Sequence, residues 1–287
     1  MKLQNSDIQI EVAPHLGAAL RLFTFQGKNI LRPADPLAKT PQEQSLFVMI
    51  PYCSYIKDNR FNYFGISRHL TANQQNTPYS IHGDVWLHSC TVVKQTKESI
   101  SLNYTHNKST GFPFDYTATI TYTLDKNKLH ITLAIYNNSD LPMPCGMGVH
   151  PYFNNASTAQ VQFKSSHIWY HQNDPIFDHP YPTPSEWNFE KGKGLHDIFD
   201  TAFGGWDGIA QIKYPAEKLQ INISAQDIFH HLILYTPPKS DCFCLEPVSN
   251  TPDAFNLAAY GVIGTGIQSI GAKQTLTKTI TFTCENT

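Results

Sequence analysis

Two histidines and one glutamate stand in short, widely separated strings that could together perform acid–base chemistry. His82 lies in Ser-Ile-His-Gly-Asp, His150 in Gly-Val-His-Pro-Tyr-Phe and Glu246 in Leu-Glu-Pro-Val. Each is followed directly by a chain-bending Gly or Pro. Imidazoles and carboxylates take and give protons near neutral pH without a cofactor. The chemistry open to this chain therefore depends on whether the fold brings these three side chains together.

The elements that must position them follow a pattern of period two, which is typical of half-buried β-strands. Large apolar residues alternate mainly with polar ones, often Thr, through residues 114–122, 129–135, 218–224 and 279–283. The polar residues 125–128 connect the first two of these segments. A short polar connection between two alternating segments predicts a β-hairpin.

Helical periodicity is nearly absent. The best helical candidate is one or two turns after Thr-Pro-Asp at 251–253, where Thr could cap and Pro suits the first helical position. The polar span 58–80 and the Pro-rich span 174–190 predict long surface loops. Many short strands without a linker-like stretch predict an all-β fold, an antiparallel β-sandwich, with residues 1–287 forming a single domain.

The composition restricts the partners of the chain. Hydrophobic residues make up 41% and aromatic residues 12%, which excludes a disordered chain. Charged residues are only 15% and the net charge is −2, so the chain has no basic field for nucleic acid and no polybasic stretch for a membrane. A small neutral molecule is the partner that this composition favours. No Gly-rich phosphate motif is present, so no cofactor is expected, and monomer and homodimer both stay open.

The N-terminus and the cysteines favour a cytoplasmic protein. The first residues lack the apolar run of a signal peptide, and no segment approaches the ~20 apolar residues of a membrane span. Six cysteines without a Cys-x-x-Cys pair predict free, mostly buried thiols. Cys242 and Cys244, two apart in an apolar strand, should point to one face. We interpret both as packing residues, because a zinc site would need more ligands at a fitting spacing.

The three strings, in this order, resemble those of the aldose 1-epimerase family of the galactose mutarotase type. That family carries an Ile/Leu-His-Gly string, a Gly-x-His-Pro-Tyr-Phe string and a late Glu-Pro string. Residues 195–208 also resemble its Asp-x-x-Phe-x-Gly-Trp-x-Gly segment, with Asp200 in the Asp position. The likeness runs from about Gly17 to the C-terminus. It implies a large twisted β-sandwich, the galactose mutarotase-like supersandwich, with the site in a cleft on one face.

The resemblance implies interconversion of the α and β anomers of a free aldohexose. This reaction takes a proton from the C1 hydroxyl and adds one to the ring oxygen; the C1–O5 bond breaks, and the open aldehyde rotates and recloses. We predict Glu246 as the base, because burial at a strand end raises a carboxyl pKa toward the working pH. His150 is predicted as the acid at the ring oxygen, and His82 as a second imidazole that stabilises the charge developing there.

Further side chains are predicted to bind the sugar. Asp200 would accept hydrogen bonds from sugar hydroxyls, and Trp206 could either stack on a sugar face or belong to the core. Where the family has Pro-(Phe/Tyr)-x-Asn-Arg, this chain has Pro-Tyr-Cys-Ser-Tyr, with Ser54 for Asn and Tyr55 for Arg. Arg offers five donors and Tyr one hydroxyl, so this contact with the sugar must differ. Arg60, a few residues on, could compensate.

Three alternatives stay open. A catalytic metal could use His167 and His171, which would share one face of a strand, but no carboxylate lies at a fitting spacing. A hexose-6-phosphate 1-epimerase would share the acid–base residues and would need a cluster of Arg or Lys for the phosphate. A non-catalytic carbohydrate-binding protein could keep the cleft, although binding alone does not demand an acid and a base.

Overall fold

The computed structural model describes residues 1–75, 77–108, 111–170, 179–225 and 227–287. Of the described residues, strands account for 49% and helix, mostly short 3-10 turns, for 8%, and the strands of each sheet pair in antiparallel fashion. The predicted all-β antiparallel fold class is therefore confirmed.

The N-terminal half contains short strands and two long ones. In chain order they are β1 (Lys2–Gln4), β2 (Ile8–Ala13), β3 (Ala19–Phe25), β4 (Lys28–Asn29), β5 (Leu46–Met49), β6 (Tyr55–Ile56), β7 (Arg60–Tyr63), β8 (Ile66–His69), β9 (Ser80–Ile81), β10 (Thr91–Gln95), β11 (Ser99–His106), β12 (Tyr116–Asp125) and β13 (Lys128–Asn137).

The C-terminal half continues with strands and one short helix. Its elements are β14 (Met143–Cys145), β15 (Gly148–Asn154), β16 (Gln160–Phe163), β17 (His167–Tyr170), β18 (Tyr181–Pro182), β19 (Lys193–Gly194), β20 (Asp200–Gly204), β21 (Ile209–Tyr214), β22 (Leu219–Ala225), β23 (His231–Tyr235), β24 (Cys242–Val248), α1 (Ala254–Ala259), β25 (Gln268–Ile270) and β26 (Thr275–Asn286).

Two large sheets organise these strands. Over the described residues, the larger sheet has 11 strands in the order β1-β2-β3-β5-β15-β24-β23-β20-β17-β18, with β4 paired to β3. The second sheet has nine, in the order β10-β11-β12-β13-β26-β22-β21-β16-β19. The pairs β6-β9, β7-β8 and β14-β25 stand apart from both sheets. The strands β15 and β24, which carry His150 and Glu246, are therefore neighbours near the middle of the larger sheet.

The second sheet shows the alternation that the sequence predicts. In β12 and β13 every other residue is buried, and the two strands pair from Tyr116 opposite Asn137 to Asp125 opposite Lys128. The inward residues of β12 pack with Phe153 and Leu245 of the larger sheet in one apolar cluster. The predicted hairpin is confirmed, and its alternation arises because one face of this sheet covers the core while the other meets water.

The larger sheet is covered on both faces at its centre. Strands β15 and β24 are buried along their length except for Asn154. Alternate residues such as Leu245 join the cluster between the sheets, whereas Tyr152 and Cys244 join a second cluster on the opposite face. A strand buried on both faces has no polar face, so its residues do not alternate between apolar and polar. For this reason β15 and β24 appear in the sequence as mainly apolar runs.

Three local predictions need correction. The helix α1 begins at Ala254 after Asp253, so Pro252 precedes it and is not its first residue. The span 58–80 is not a plain loop, because it contains the hairpin β7-β8. Of the span 174–190, residues 174–178 lie outside the described residues, as does His171, and the remainder includes β18.

The six cysteines are free and buried, as the sequence predicts. Cys242 and Cys244 belong to the same cluster on one face of the larger sheet. In the part of the chain that the structure describes, no helix combines the length and apolar composition of a membrane span.

A buried ion pair supports the turn that carries His82. His106 Nδ1 lies 2.5 Å from Asp84 Oδ2, and His106 Nε2 lies 2.8 Å from the Phe112 carbonyl oxygen, so both ring nitrogens face acceptors and the ring is an imidazolium. The hydroxyl of Tyr116 donates to Asp84 as well. Burial alone lowers the pKa of His106, but the hydrogen bond and charge of Asp84 outweigh it and raise that pKa above its ordinary value. The pair thus fixes Asp84, two residues from His82.

We expect Asp84→Asn to lower the free energy of unfolding by about 3 kcal/mol below pH 6, because it leaves the buried His106 imidazolium without its carboxylate. The raised pKa of His106 means that this contribution is fully present below the unfolded value of about 6.5 and fades as the pH rises through the folded value. Urea unfolding at pH 6 and pH 9 measures it. The difference in the free energy of unfolding between wild type and Asp84→Asn should be smaller at pH 9 than at pH 6. The exposed substitution Asp125→Asn is the control, and an equal gap at both pH values would contradict the assignment.

Candidate active site

A cavity of about 350 Å³ opens over the centre of the larger sheet, within the size range of small-molecule sites. Its lining comprises Gln42, Phe47, Ser54, Tyr55, Gln74, Thr77, Ile81, His82, His150, Tyr152, Trp169, Asp200, Ala202, Ile233, Tyr235, Glu246, Thr251, Pro252 and Leu257. The three candidate acid–base residues and the predicted sugar contacts Asp200, Ser54 and Tyr55 are all in this lining.

The floor of the cavity is built from two cross-strand rows of the larger sheet. The first row, in order across β5, β15, β24, β23, β20 and β17, is Phe47, His150, Glu246, Ile233, Ala202 and Trp169. The second row, two residues along each strand, is Tyr152, Cys244, Tyr235 and Asp200, of which Cys244 is completely buried and does not itself line the cavity. Residues opposite one another on paired strands lie close on the same face, so the register itself assembles the site.

His150 and Glu246 form a direct contact in the first row. His150 Nε2 lies 3.2 Å from Glu246 Oε1, and both side chains are almost completely buried. Burial, with a further contribution from the charge of Asp200, raises the pKa of Glu246 well above its ordinary value. Burial, reinforced by the neighbouring His82, lowers the pKa of His150 well below its own. Both shifts favour the uncharged forms, so the two buried groups favour an arrangement in which they share a single proton.

His82 reaches the cavity from a tight turn rather than from the sheet. Its ring lies edge-on to that of His150, with centroids 5.7 Å apart. The backbone N–H of Ser54 donates to His82 Nδ1 over 3.1 Å, so the neutral ring carries its proton on Nε2. The N–H of His82 in turn donates to the Ser54 carbonyl over 2.7 Å. Burial lowers the pKa of His82 to about 3, which keeps the imidazole neutral.

The turn depends on a glycine next to His82. Gly83 has φ of +69° and forms a parallel bridge with Ile50. A Cβ at this position would lie 2.0 Å from the Ile50 carbonyl oxygen, far closer than atoms pack. Only Gly fits both the left-handed conformation and this close approach. The glycine that follows His82 is therefore required for the backbone conformation that positions this histidine.

Two predicted site residues lie elsewhere. Trp206 is buried in the cluster between the sheets and its Nε1 donates to the Ile209 carbonyl over 2.8 Å, so it belongs to the core and does not face the cavity. Arg60 is largely exposed, with its guanidinium 3.9 Å from Asp58, and it is not in the lining. Arg60 therefore does not replace the missing family Arg, and the predictions for both residues are corrected.

Several lining residues were not singled out in the sequence. Trp169 ends the first row, and its Nε1 has no hydrogen-bond partner among the described residues. Tyr152 lies two residues after His150, and the guanidinium of Arg32 stacks over its ring at 4.1 Å. The spacing of two could have indicated Tyr152, since residues i and i+2 of a strand share a face. No spacing in the sequence indicates Trp169 or Tyr235, because these residues reach the site only through the pairing register of the larger sheet.

One group among the described residues could hold a metal ion. A ring nitrogen of His150, the sulfur of Cys244 and a carboxylate oxygen of Glu246 all lie within 4.8 Å of one another. Its members come from the two rows of the floor, and two of them are the candidate acid and base.

Solved structures with the same fold span the whole chain. A candidate aldose 1-epimerase from Escherichia coli K12 superposes with a TM-score of 0.91 at 23% identity and covers 100% of this chain and 98% of its own. A galactose mutarotase-like protein from Clostridium acetobutylicum gives 0.88 at 16% identity, covering 100% and 95%. A GalM/aldose epimerase homologue from C. elegans gives 0.84 at 16% identity, covering 100% and 98%. These similarities show a galactose mutarotase-like fold.

Two sequence relatives and a family model each match most of the chain. The uncharacterized protein YphB of Escherichia coli (strain K12) is 24% identical over 271 residues, covering 88% of each chain. The uncharacterized protein YihR of the same strain is 25% identical over 255 residues, covering 84% of this chain and 81% of its own. The family model described as aldose 1-epimerase matches residues 1–275. The chain thus belongs to the aldose 1-epimerase family.

Proposed function

We propose that this protein interconverts the α and β anomers of a free aldohexose by acid–base ring opening and closure. The observation that supports this most directly is the meeting of Glu246, His150 and His82 at one cavity, with His150 and Glu246 in contact at 3.2 Å. The reaction needs a base at the C1 hydroxyl and an acid at the ring oxygen, two oxygens bonded to the same carbon, and such a pair supplies both. Family membership supports a sugar epimerase, and the two neutral imidazoles favour proton transfer over binding alone.

Proton transfer begins with the proton that the resting pair shares. Movement of that proton from Glu246 to His150 gives a carboxylate and an imidazolium without any exchange with solvent. Glu246 then takes the proton of the C1 hydroxyl, while His150 delivers its proton to the ring oxygen and the C1–O5 bond breaks. Rotation about C1–C2 and the reverse transfers close the ring with the other configuration at C1. In this proposal His82, neutral with its proton on Nε2, donates a hydrogen bond to the ring oxygen.

The other lining residues suit a neutral sugar. Asp200 offers a carboxylate to sugar hydroxyls, and Ser54 and Tyr55 contribute hydroxyls where the family has Asn and Arg. Trp169 and Tyr235 supply aromatic surface for the apolar face of a pyranose. None of the cavity-lining residues that the structure describes is Lys or Arg, so a phosphate would find no cation in the lining. This favours a free sugar over a hexose 6-phosphate.

Replacing either member of the pair should abolish most catalysis. We expect Glu246→Gln and His150→Ala to lower the mutarotation rate of freshly dissolved α-D-glucose or α-D-galactose by about 10²–10⁴-fold each, since each removes one proton-transfer group. Polarimetry follows the rate. Glu98→Gln, in the turn between β10 and β11, and His130→Ala, on β13 of the second sheet, are matched controls and should keep wild-type rates. Full activity in either pair variant would reject the assignment.

The activity should depend on pH through the shared proton of the pair. Because the pKa of His150 is lowered and that of Glu246 is raised, the one-proton state spans a wide range around neutrality. We expect kcat/KM to fall on the acid side only well below the ordinary histidine value of about 6.5. It should fall on the alkaline side as the pair loses its proton. Initial rates, corrected for the spontaneous reaction, measure the decrease in kcat/KM on both the acid and the alkaline side. A decrease on the acid side with a midpoint at about pH 6.5 would contradict a buried neutral imidazole.

A substrate panel separates the remaining candidates. Glucose, galactose and their 6-phosphates are compared for catalysed mutarotation, and sugar binding is measured by calorimetry. We expect catalysis of at least one free hexose and none of the phosphates, because the described lining holds no cation. Catalysis restricted to phosphates would identify a phosphosugar epimerase. Binding of free sugars with unchanged mutarotation would instead identify a non-catalytic binding protein.

A further inference from the structure

Beneath the candidate acid–base pair lies a thiol that the proposed reaction does not use. Cys244 occupies the second row of the floor, between Tyr152 and Tyr235, two residues before Glu246 on the same face of β24. It is completely buried. Its sulfur lies within 4.8 Å of the ligand atoms that His150 and Glu246 offer. The floor therefore brings a nitrogen, a sulfur and an oxygen ligand to one point.

The spacing of these atoms suits a tetrahedral ion. Bonds of about 2.0 Å to nitrogen and oxygen place two such ligands roughly 3.3 Å apart around Zn²⁺. His150 Nε2 and Glu246 Oε1 are 3.2 Å apart, so this edge of the tetrahedron is already formed. Around the same ion the sulfur would lie roughly 3.5 Å from the other two ligand atoms, so it would have to approach by about 1.3 Å at most, which a rotation about its Cα–Cβ bond can supply at a modest cost in rotamer energy. His150 and Glu246 also line the cavity, which gives an ion a path from solvent and leaves the fourth position to water.

The nature of the ligands selects the ion. Thiolate and imidazole are soft or borderline ligands that favour Zn²⁺ over Mg²⁺ or Ca²⁺, which prefer all-oxygen sites. Asp200 lies near enough for its charge to act on Glu246, so the local field favours a cation. The guanidinium of Arg32 donates hydrogen bonds of 2.7 Å and 2.9 Å to the carbonyls of Gln42 and Gln44, and its charge acts on Cys244 in the direction that lowers the thiol pKa and so favours the thiolate that would bind the ion.

We propose that His150, Cys244 and Glu246 form a three-ligand Zn²⁺ site, and that the bound ion switches off the acid–base pair. The second part rests on the proposed function. Binding displaces the Cys244 thiol proton and the proton shared by His150 and Glu246, so two protons leave for each ion bound. The same atoms then coordinate metal and cannot transfer protons to a sugar. Zn²⁺ acts here as an inhibitor of the epimerase.

The matched control for Cys244 is Cys242. Both thiols are buried in the same cluster on the same face of β24. Cys242 lies 2.9 Å from the Ser240 hydroxyl and 4.0 Å from the Arg32 guanidinium, and it is not part of the ligand group. Removing either thiol makes a similar change in the core, so only the ligand role distinguishes the two variants.

Co²⁺ titration of chelator-treated full-length protein tests the site independently of activity. We expect one equivalent of Co²⁺ to give tetrahedral visible bands and a thiolate-to-metal charge-transfer band, and Zn²⁺ to displace it. Cys244→Ala should lose the charge-transfer band and bind Zn²⁺ more than about 100-fold more weakly, a loss at or above the range found for removing outer-shell partners. Cys242→Ala should keep both properties. Cys244→Ser, which keeps the size of the side chain, replaces Cys244→Ala if that variant fails to fold.

The outcomes separate the two parts of the proposal. Absence of the charge-transfer band in the wild type, its persistence without Cys244, or its loss in Cys242→Ala overturns the site. For inhibition, the mutarotation rate with and without stoichiometric Zn²⁺ is compared within each variant. A large ratio is expected for wild type and Cys242→Ala, and a ratio near one without Cys244. If the protein binds Co²⁺ through a thiolate but has no mutarotase activity, the metal site is upheld and the proposed function is rejected. If the protein is an active enzyme and binds Zn²⁺ without losing activity, the proposed inhibition is rejected.

Discussion

The contact between His150 and Glu246 is the constraint on which the site depends. It joins two neighbouring strands, β15 and β24, whose register sets the side chains opposite each other. Both strands are buried on both faces, so the pair lies in a low dielectric where each charge is costly. That cost is met by sharing one proton, which leaves both groups neutral at rest. The same proton, moved by one hydrogen bond, generates the base and the acid that the proposed reaction requires.

The remaining parts of the site hold this pair in a defined setting. Phe47 stacks on the His150 ring with centroids 4.5 Å apart, which restrains the imidazole from one side. His82 is held by reciprocal hydrogen bonds with Ser54, and the ion pair of Asp84 and His106 lies directly behind that turn. Sheet register thus positions the candidate acid and base, whereas a tight turn and a buried ion pair position the second imidazole, that of His82.

The sequence predicted the fold class and the converging residues better than it predicted the cavity wall. The second sheet meets water on one face, so its alternation was visible, and the hairpin β12-β13 followed. Glu246 and His150 were found because they stand in family strings beside Pro. Trp169 and Tyr235 were missed because strand order, which single strands do not encode, brings them to the site. For Trp206 the sequence left a sugar contact and a core position open, because an aromatic residue beside glycines suits both, and the structure places it in the core.

The floor and the rim of the cavity come from different parts of the fold. Paired strands supply the floor, whereas Gln42, Gln74, Thr77 and Pro252 enter the lining from connecting segments. Connections accept substitution and insertion more readily than strands whose every register position is packed. Under the proposed function, selectivity for one sugar over another can therefore change through these connecting segments, while the paired strands that carry His150 and Glu246 keep their register.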